Sequence, residues 1–454
     1  MVWLGSRSAP SPVARFFGVH SRSEDAGCGR CGRSSRFGTR RARSRVHRRP
    51  RPVKTVLLSA GDLSGERHAG ELVRALRNRR ADLRFVGMGG ASMQAAGVEL
   101  WADQRDLAVG GIFEIATSLP RVIATWRKML RCLRETDPDV VVFVDSGGFN
   151  LPFAKRVRAV SRAKGLYYLA PQVWAWRESR LHRLAKRVDR IAVILPFEPA
   201  YYAEREVQVD FVGHPAVDAL VDKKQADDEA IQSRSDTGSA RIKARARFAI
   251  GDGDRVLGLF PGSRRNELER HLPIQLESFL RLRAGEPRLH ALQAVVGLAP
   301  SLDRERALAI VNEVCAAVPK AVRVLSMEDN ALLNACDVAL AKPGTITVEL
   351  MLRAIPMVVI GRINRATAMI ARRSLQIVWL SMPNLIAQEE IVPELFQKAA
   401  TPDRIADELA PLFEGEIRDR QIKALQLASR SLGAPGAANR TAAIVEELLG
   451  TRPA

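Results

Sequence analysis

The sequence predicts an α/β protein of two doubly wound, Rossmann-like lobes with a cleft between them. Two observations lead to this prediction. Apolar strands alternate with amphipathic helices from residue 55 onward, a pattern typical of βαβ units and of a mostly parallel sheet. A polar stretch without a core pattern interrupts this alternation, which then resumes. The predicted domains are therefore a first lobe at 55–220, a linker or surface insertion at 221–245 and a second lobe at 246–430.

The strands and helices of the first lobe follow one another closely. TVLLSAG at 55–61 is typical of a strand, and HAGELVRALRNR at 68–79 has apolar residues at helical spacing. DVVVFVD at 139–145 has no polar alternation, which predicts a strand buried on both faces. The remaining elements predicted here are RFVGMGG, LPRVIATWRKMLRCLRE, LPFAKRVRAV, GLYYLAP, ESRLHRLAKRV and RIAVILP. The second lobe has the predicted strands RVLGLFPG, HALQAVVGLA, DVALAKPG and IPMVVIG.

The formal net charge of +20 is concentrated in residues 1–54. This tail carries thirteen Arg and one Lys against Glu24 and Asp25, which accounts for +12 of the total. It is rich in Arg, Ser and Gly and lacks the apolar stretch of a secretory signal. We therefore expect a mitochondrial transit peptide, with the chloroplast as the alternative destination. The other interpretation is a disordered basic arm that binds nucleic acid or anionic lipid.

The composition also bears on membrane spans and metals. No stretch approaches 18 uninterrupted apolar residues, so no membrane span is predicted. Cys28 and Cys31 form a CxxC inside the tail without a second pair at zinc spacing, and we expect neither a metal nor a cofactor. Cys132, Cys315 and Cys336 stand singly, which predicts core positions.

Five polar or glycine-rich turns follow predicted strands, and they are where the chemistry is expected. In open parallel sheets, ligands bind beyond the carboxyl ends of the strands. The turns are GDLSGE, DSGGFN, PQVWAWR, PGSRRNE and KPGTITVE.

The turn PGSR contains Gly262, Ser263 and Arg264 between a strand and a helix. Free backbone N–H groups at a helix N-terminus favour phosphate, and an arginine fork binds phosphate oxygens in pairs. The alternative is an ordinary turn with arginines facing solvent. No Gly-Lys-Ser/Thr follows, so this is not a Walker A loop.

The turn KPGTITVE repeats this arrangement with Gly344 and Thr345, and Glu349 lies one turn into the predicted helix. A carboxylate there accepts hydrogen bonds from ribose hydroxyls. The alternative for Glu349 is a helix-face carboxylate paired with a base. One turn for phosphate and one for ribose together predict a nucleotide site.

Asp145 directly ends a predicted strand of five apolar residues. In a partly dry cleft the pKa of such a carboxyl rises, which suits a general base. The alternative is that Asp145 caps the next helix.

VWAWR contains Trp174, Trp176 and Arg177, with further basic residues behind them. Tryptophans beside cations are typical of a membrane-surface or acyl-binding patch. Core packing of the tryptophans is the main alternative, and stacking on single-stranded nucleic acid is a third.

The ordered set of motifs resembles the lipid-A-disaccharide synthase family over roughly residues 54–445. The motifs are SAGDLSGERHAGELVRAL, GMGGASMQAAGVEL, VGGIFEI, PDVVVFVDSGGFNL, APQVWAWRESRL, LPFEPAYY, FVGHPAVD, LFPGSRRNELE, KPGTITVEL, PMVV and SMPNLIAQEEIVPELFQ. The resemblance implies a GT-B fold and an inverting, metal-independent glycosyltransferase. It would join UDP-2,3-diacylglucosamine to 2,3-diacylglucosamine 1-phosphate, giving a β-1,6-linked disaccharide phosphate and UDP.

The resemblance also assigns roles to residues. Asp145 matches the base that deprotonates the acceptor 6-hydroxyl, and Ser64 and Glu66 match the first polar turn on the acceptor side. The positions that match the UDP site are Gly262, Ser263, Arg264, Gly344, Thr345, Glu349 and Asn384. It further implies peripheral membrane contact, a homodimer, and a C-terminal helix within 431–454 that packs back on the first lobe.

The sequence departs from the family pattern in four ways. It lacks a second acid near Gly148, and Asp62 and Glu66 exchange the usual acidic identities of the first turn. The linker is longer than expected, and the Arg-rich tail suggests a eukaryotic, organelle-targeted member. Two alternative functions stay open at this point. They are another UDP-sugar enzyme such as a UDP-N-acetylglucosamine 2-epimerase, and a basic organelle protein that binds nucleic acid, although no nucleic-acid partner is expected.

Overall fold

A computed structural model describes most of the chain beyond the basic tail. The described residues are 53–107, 112–171, 174, 181–220, 237–327, 331–362 and 378–450, with side chains excepted at 112–118, 237–239 and 319. The predicted transit peptide at 1–54 therefore lies almost entirely outside the described residues.

The first lobe is built on a parallel seven-stranded sheet with the order β3-β2-β1-β4-β5-β6-β7. Its strands are β1 (Lys54–Ala60), β2 (Leu83–Gly89), β3 (Glu99–Asp103), β4 (Val140–Val144), β5 (Lys164–Tyr168), β6 (Arg190–Val193) and β7 (Asp210–Phe211). Chain order runs outward from β1 in one direction and from β4 in the other, which defines a doubly wound sheet.

The second lobe is built on a parallel six-stranded sheet with the order β10-β9-β8-β11-β12-β13. Its strands are β8 (Val256–Phe260), β9 (Gln293–Leu298), β10 (Val322–Ser326), β11 (Val338–Ala341), β12 (Met357–Gly361) and β13 (Glu394–Phe396). The winding direction changes here between β8 and β11.

Helices connect the strands of both lobes. Those of the first lobe are α1 (Leu63–Arg79), α2 (Ala91–Ala95), α3 (Ile112–Thr136), α4 (Gly147–Val160), α5 (Leu181–Ala185) and α6 (Glu198–Ala203). Those that follow are α7 (Thr237–Arg247), α8 (Arg265–Gly285), α9 (Arg304–Val314), α10 (Ala331–Ala335), α11 (Thr345–Leu352), α12 (Met382–Ala387), α13 (Pro402–Leu409), α14 (Glu416–Arg430) and α15 (Ala437–Gly450).

The central strand β4 shows why the sheet is a core. All five of its residues are buried. Val142 packs with apolar residues of α1 and of the last helix, α15, while Phe143 packs with residues of α3, α4 and α5 on the other face. Burial on both faces accounts for the apolar run without alternation that predicted this strand.

The polar stretch predicted as a linker is helical at its end. Residues 237–245 belong to α7, while 221–236 lie outside the described residues. Arg241 and Arg245 of α7 both bond the carboxylate of Asp337, at 2.7 and 2.8 Å. Ala244 of α7 is buried in the core of the second lobe, whereas Ile242 is exposed. The apolar face of α7 is therefore narrow, which explains the lack of a core pattern in its sequence.

The single cysteines are buried and free, as predicted: Cys132, Cys315 and Cys336 all lie in the core. In the described part of the chain, no helix combines the length and apolarity that crossing a bilayer requires.

Candidate functional site

Four of the five predicted turns meet in pairs at the two points where the winding direction changes. In the first lobe Ala60 of β1 pairs in register with Val144 of β4, so GDLSGE and DSGGFN leave the sheet side by side. In the second lobe Phe260 of β8 pairs with Ala341 of β11, so PGSR and KPGT do the same. The crevice beyond such a point is where doubly wound sheets bind ligands.

Asp145 is held in a fixed and unusual backbone conformation in the first pair of turns. Asp145 and Ser146 both have left-handed backbones, with φ of 46° and 45°. The Tyr167 hydroxyl donates to the Asp145 carbonyl at 2.7 Å, and the Asn150 amide donates to the same oxygen at 3.0 Å. A non-glycine residue in this region persists only where its surroundings enforce it, which is typical of functional sites.

The pKa of the Asp145 carboxyl is raised, which suits a general base. Burial, and after it the nearby charge of Asp62, raise its pKa to about 6 against the lowering effect of a hydrogen bond from the Ser146 N–H. Asp62 itself caps α1 by accepting the Gly65 N–H at 2.7 Å, and it accepts the Ser146 hydroxyl. Asp145 lies one residue before the cap position of α4, which Ser146 occupies, so it does not cap that helix.

Glu66 does not face the crevice as a catalytic acid would. It is almost fully buried, and its carboxylate accepts the backbone N–H groups of Ser92 and Met93 at 3.1 and 3.3 Å. These N–H groups begin α2, so Glu66 anchors that helix, and its catalytic role stays a prediction. Ser64 is exposed in the first turn of α1 and stays a candidate contact on the acceptor side.

The phosphate turn of the second lobe already contains a carboxylate. Glu267 is the third residue of α8, and Arg264 is the cap residue of this helix. The Glu267 carboxylate accepts the backbone N–H groups of Ser263 and Arg264 at 3.0 and 3.3 Å. Gly262 has a φ of +120°, and a Cβ there would lie 2.4 Å from the Glu267 carboxylate. The prediction that these two N–H groups are free for phosphate is therefore wrong. Arg264 is different, because its side chain is 69% exposed.

The second turn of this pair presents its predicted residues. Gly344 is the cap position of α11, and Thr345 is exposed at its first residue. Glu349 lies half-buried one turn further along, 3.9 Å from the guanidinium of Arg353. The pairing with a base that was the alternative for Glu349 is thus present, although part of its side chain still reaches solvent.

Comparison with known proteins decides what kind of site this is. The family model of lipid-A-disaccharide synthetase matches residues 56–448. A lipid-A-disaccharide synthase from Myxococcus xanthus is 38% identical over 395 residues, which cover 87% of this chain and 97% of that protein. The chain belongs to the lipid-A-disaccharide synthase family.

Solved structures similar to this member of the lipid-A-disaccharide synthase family agree on its fold. The UDP-GlcNAc 2-epimerase of Neisseria meningitidis, bound to UDP-GlcNAc, has a TM-score of 0.59 at 14% identity and covers 87% of this chain and 100% of its own. Acinetobacter baumannii MurG has a TM-score of 0.50 at 12% identity with the same two coverages. With the two parallel-sheet lobes, these similarities confirm the predicted GT-B fold.

The family resemblance placed Asn384 beside UDP, but the structure uses this side chain internally. Asn384 is fully buried; its amide oxygen accepts the N–H groups of Ile391 and Val392, and its amide nitrogen donates to Val392 and Glu394, all within 2.9 Å. Both ends of the amide are therefore occupied in shaping the 381–394 segment. Asn384 thus supports this family motif from within, and its contact with UDP stays a prediction.

The described residues include Trp174 of the family motif VWAWR. Trp174 is 5% exposed, packs edge-on against Phe197 and donates its ring N–H to Glu198 at 3.1 Å. Glu198 is itself buried, and burial raises its pKa to about 7. The prediction that Trp174 belongs to a membrane or acyl-binding patch is wrong, and core packing is correct. Trp176 and Arg177 lie outside the described residues.

Two residues of this family member lie in its sequence motifs, but the sequence predicted no role for them. Glu267 is the last residue of the segment GSRRNE at 262–267, and Lys342 is the first residue of KPGT. The Lys342 ammonium lies 3.0 Å from the Glu267 carboxylate and joins the two turns of the second lobe. The one sequence feature that could have indicated this pair is that the two turns carry opposite charges. In the described part of the chain, no three His, Cys, Asp or Glu side chains cluster as metal ligands.

Proposed function

We propose that the protein is an inverting glycosyltransferase of lipid A biosynthesis. It joins UDP-2,3-diacylglucosamine to 2,3-diacylglucosamine 1-phosphate and releases the β-1,6-linked disaccharide 1-phosphate and UDP. The membership of the lipid-A-disaccharide synthase family over nearly the whole folded chain carries this proposal. The buried, raised-pKa carboxyl of Asp145 at the first-lobe crevice supplies the base that the reaction needs.

The reaction follows from the positions of the two pairs of turns. Asp145 takes the proton of the acceptor 6-hydroxyl as its oxygen attacks the anomeric carbon of the donor sugar. The bond from that carbon to the diphosphate breaks, and its electron pair leaves with UDP, so the anomeric configuration inverts. Positive groups fixed at the second-lobe turns stabilise the charge that develops on the leaving diphosphate.

The pH dependence of kcat/KM should report the pKa of Asp145. The base must be ionised, so we expect kcat/KM to fall as the pH drops through about 6. Asp62→Asn removes the neighbouring negative charge that helps to raise this pKa, so the acidic limb should move to lower pH. Rates for both proteins between pH 4.5 and 8 test this. An unmoved limb would mean that another group titrates.

Arg264→Ala should weaken UDP binding by about 10- to 100-fold, because a hydrogen bond to a charged group is worth roughly 1.5–3 kcal/mol. Arg265→Ala is the matched control, since Arg265 is exposed next to it but pairs with Glu269 on α8. Calorimetric titration with UDP measures both. Equal affinities for the two variants would mean that Arg264 is only a solvent-facing arginine.

We also propose that the first lobe rests on a membrane surface, since both substrates are lipids. Leu119 and Ile123 of α3 are 54% and 41% exposed, and the exposed cations Arg121, Arg127 and Lys128 lie in the same segment of the helix. Exposed apolar side chains beside cations are typical of interfacial helices. Co-sedimentation with anionic vesicles tests this, and Leu119→Gln with Ile123→Gln should reduce binding.

Two further proposals rest on the sequence and the family resemblance. Residues 1–54 would carry the protein to the mitochondrion, or to the chloroplast as the alternative, as a eukaryotic, organelle-targeted member; the relatives compared are bacterial. Imaging this segment fused to a fluorescent protein decides between the organelles. The homodimer would be seen by light scattering of the purified protein. A UDP-N-acetylglucosamine 2-epimerase activity gains no support from a similarity of 14% identity.

A further inference from the structure

The second-lobe site contains a negative charge at the turn whose backbone N–H groups were expected to be free for phosphate. Glu267 is only 14% exposed, and one of its carboxylate oxygens binds both turn N–H groups. Burial by itself would raise the pKa of Glu267, but Lys342, the Ser263 N–H and Arg264 together lower it, so the carboxyl is ionised near neutral pH. A diphosphate approaching this turn therefore meets a carboxylate unless a cation intervenes.

The position of Lys342 makes it the cation that lies between this carboxylate and an approaching diphosphate. It follows β11 directly, and its backbone N–H donates to the Phe260 carbonyl at 3.0 Å, which fixes it beside the phosphate turn. Its ammonium lies 3.0 Å from the other carboxylate oxygen of Glu267, the one that does not accept the turn N–H groups. It also lies 3.9 Å from where a Cβ at Gly344, the cap position of α11, would be. The lysine thus bridges the two turns of the second lobe.

The lysine is partly open to solvent, which suits a ligand contact. Its side chain is 30% exposed, whereas Glu267 behind it is half as exposed. An ammonium has three N–H donors, and the contact with Glu267 occupies one of them. In the described part of the chain the ammonium contacts Glu267, so its exposed end keeps donors for an anion.

We propose that Lys342 contacts the diphosphate of the sugar donor, and that Glu267 is a positioning residue that holds the ammonium between the two turns. This inference rests on the proposed function, and it replaces the backbone N–H groups of Ser263 and Arg264 as the phosphate contact. Lys342 and the exposed Arg264 then approach the leaving group from adjacent turns.

The test compares ligands with and without phosphates. Lys342→Met should weaken UDP binding by about 10- to 100-fold and leave uridine binding unchanged, because only UDP carries the charge. Lys423→Met, which removes an exposed lysine of α14, is the matched control and should bind UDP like the wild type. Melting temperatures of the variants show whether each is folded.

A double variant separates contact from mere neutralisation. If Lys342 serves only to neutralise Glu267, adding Glu267→Gln to Lys342→Met should restore UDP affinity, and this result would overturn the inference. If Lys342 contacts the phosphates, the double variant should stay weak. Wild-type-like UDP binding by folded Lys342→Met would also overturn it while leaving the proposed function intact. A wild-type protein that fails to bind UDP would overturn both.

Discussion

Asp145→Asn is expected to lower the rate of sugar transfer by about 10²- to 10⁴-fold, the usual contribution of a general base. Asparagine keeps the shape of the side chain and tolerates the left-handed backbone found at this position. It cannot accept the proton of the acceptor hydroxyl. UDP binding should stay nearly unchanged, because the nucleotide turns belong to the other lobe.

Two measurements on the same protein decide this prediction. Single-turnover transfer gives the chemical step, and calorimetry gives UDP affinity. If transfer and UDP binding are lost together, Asp145 is a structural residue. If transfer persists, the base lies elsewhere, and Asp62, whose carboxylate accepts the Ser146 hydroxyl, becomes the next candidate.

Asp337→Ala is expected to give the largest loss of stability, about 3–5 kcal/mol, which is the usual result of removing one partner of a buried ion pair. Asp337 is 7% exposed and accepts from Arg241, Arg245 and the Val256 backbone N–H. The Arg245 side chain is 1% exposed, so its guanidinium would be left in the core with fewer partners.

Urea unfolding of the wild type and the variant measures this loss of stability. Asp403→Ala is the control, because Asp403 forms a surface pair with Arg281 in which both side chains are mostly exposed. Such pairs contribute little to stability. Equal losses for the two variants would show that the α7 ion pairs do not anchor this helix to the second lobe.

The sequence predicted the nine inner strands and the turns after them because their signals are local. It missed the four edge strands β3, β7, β10 and β13, which are only partly buried and lack a long apolar run. β4 is a run of five apolar residues, and it is buried throughout. The polar turns after β1, β4, β8 and β11 could be placed on one edge because parallel strands share a direction. The order of the strands, which brings these turns together in pairs, required the structure.

Side-chain partners distant along the chain could not be predicted in the same way. Trp174 lies in a motif whose composition suggested a surface patch. Its ring N–H instead donates in the core to Glu198, which is 24 residues later in the chain. Asn384 stands in a family motif, but its four hydrogen bonds all run to 391–394. The sequence shows Glu267 three residues after Arg264, but it does not show that the Glu267 side chain turns back to accept the Ser263 N–H.

The central claim is the joining of two acylated sugars by this chain, and a product assay tests it most directly. The full-length protein would be incubated with UDP-2,3-diacylglucosamine and 2,3-diacylglucosamine 1-phosphate in the presence of EDTA, and the products identified by mass spectrometry. We expect UDP and a tetraacyl disaccharide phosphate from the wild type, and formation of both at a rate about 10²- to 10⁴-fold lower from Asp145→Asn. Wild-type protein that binds UDP but forms no disaccharide would contradict the claim.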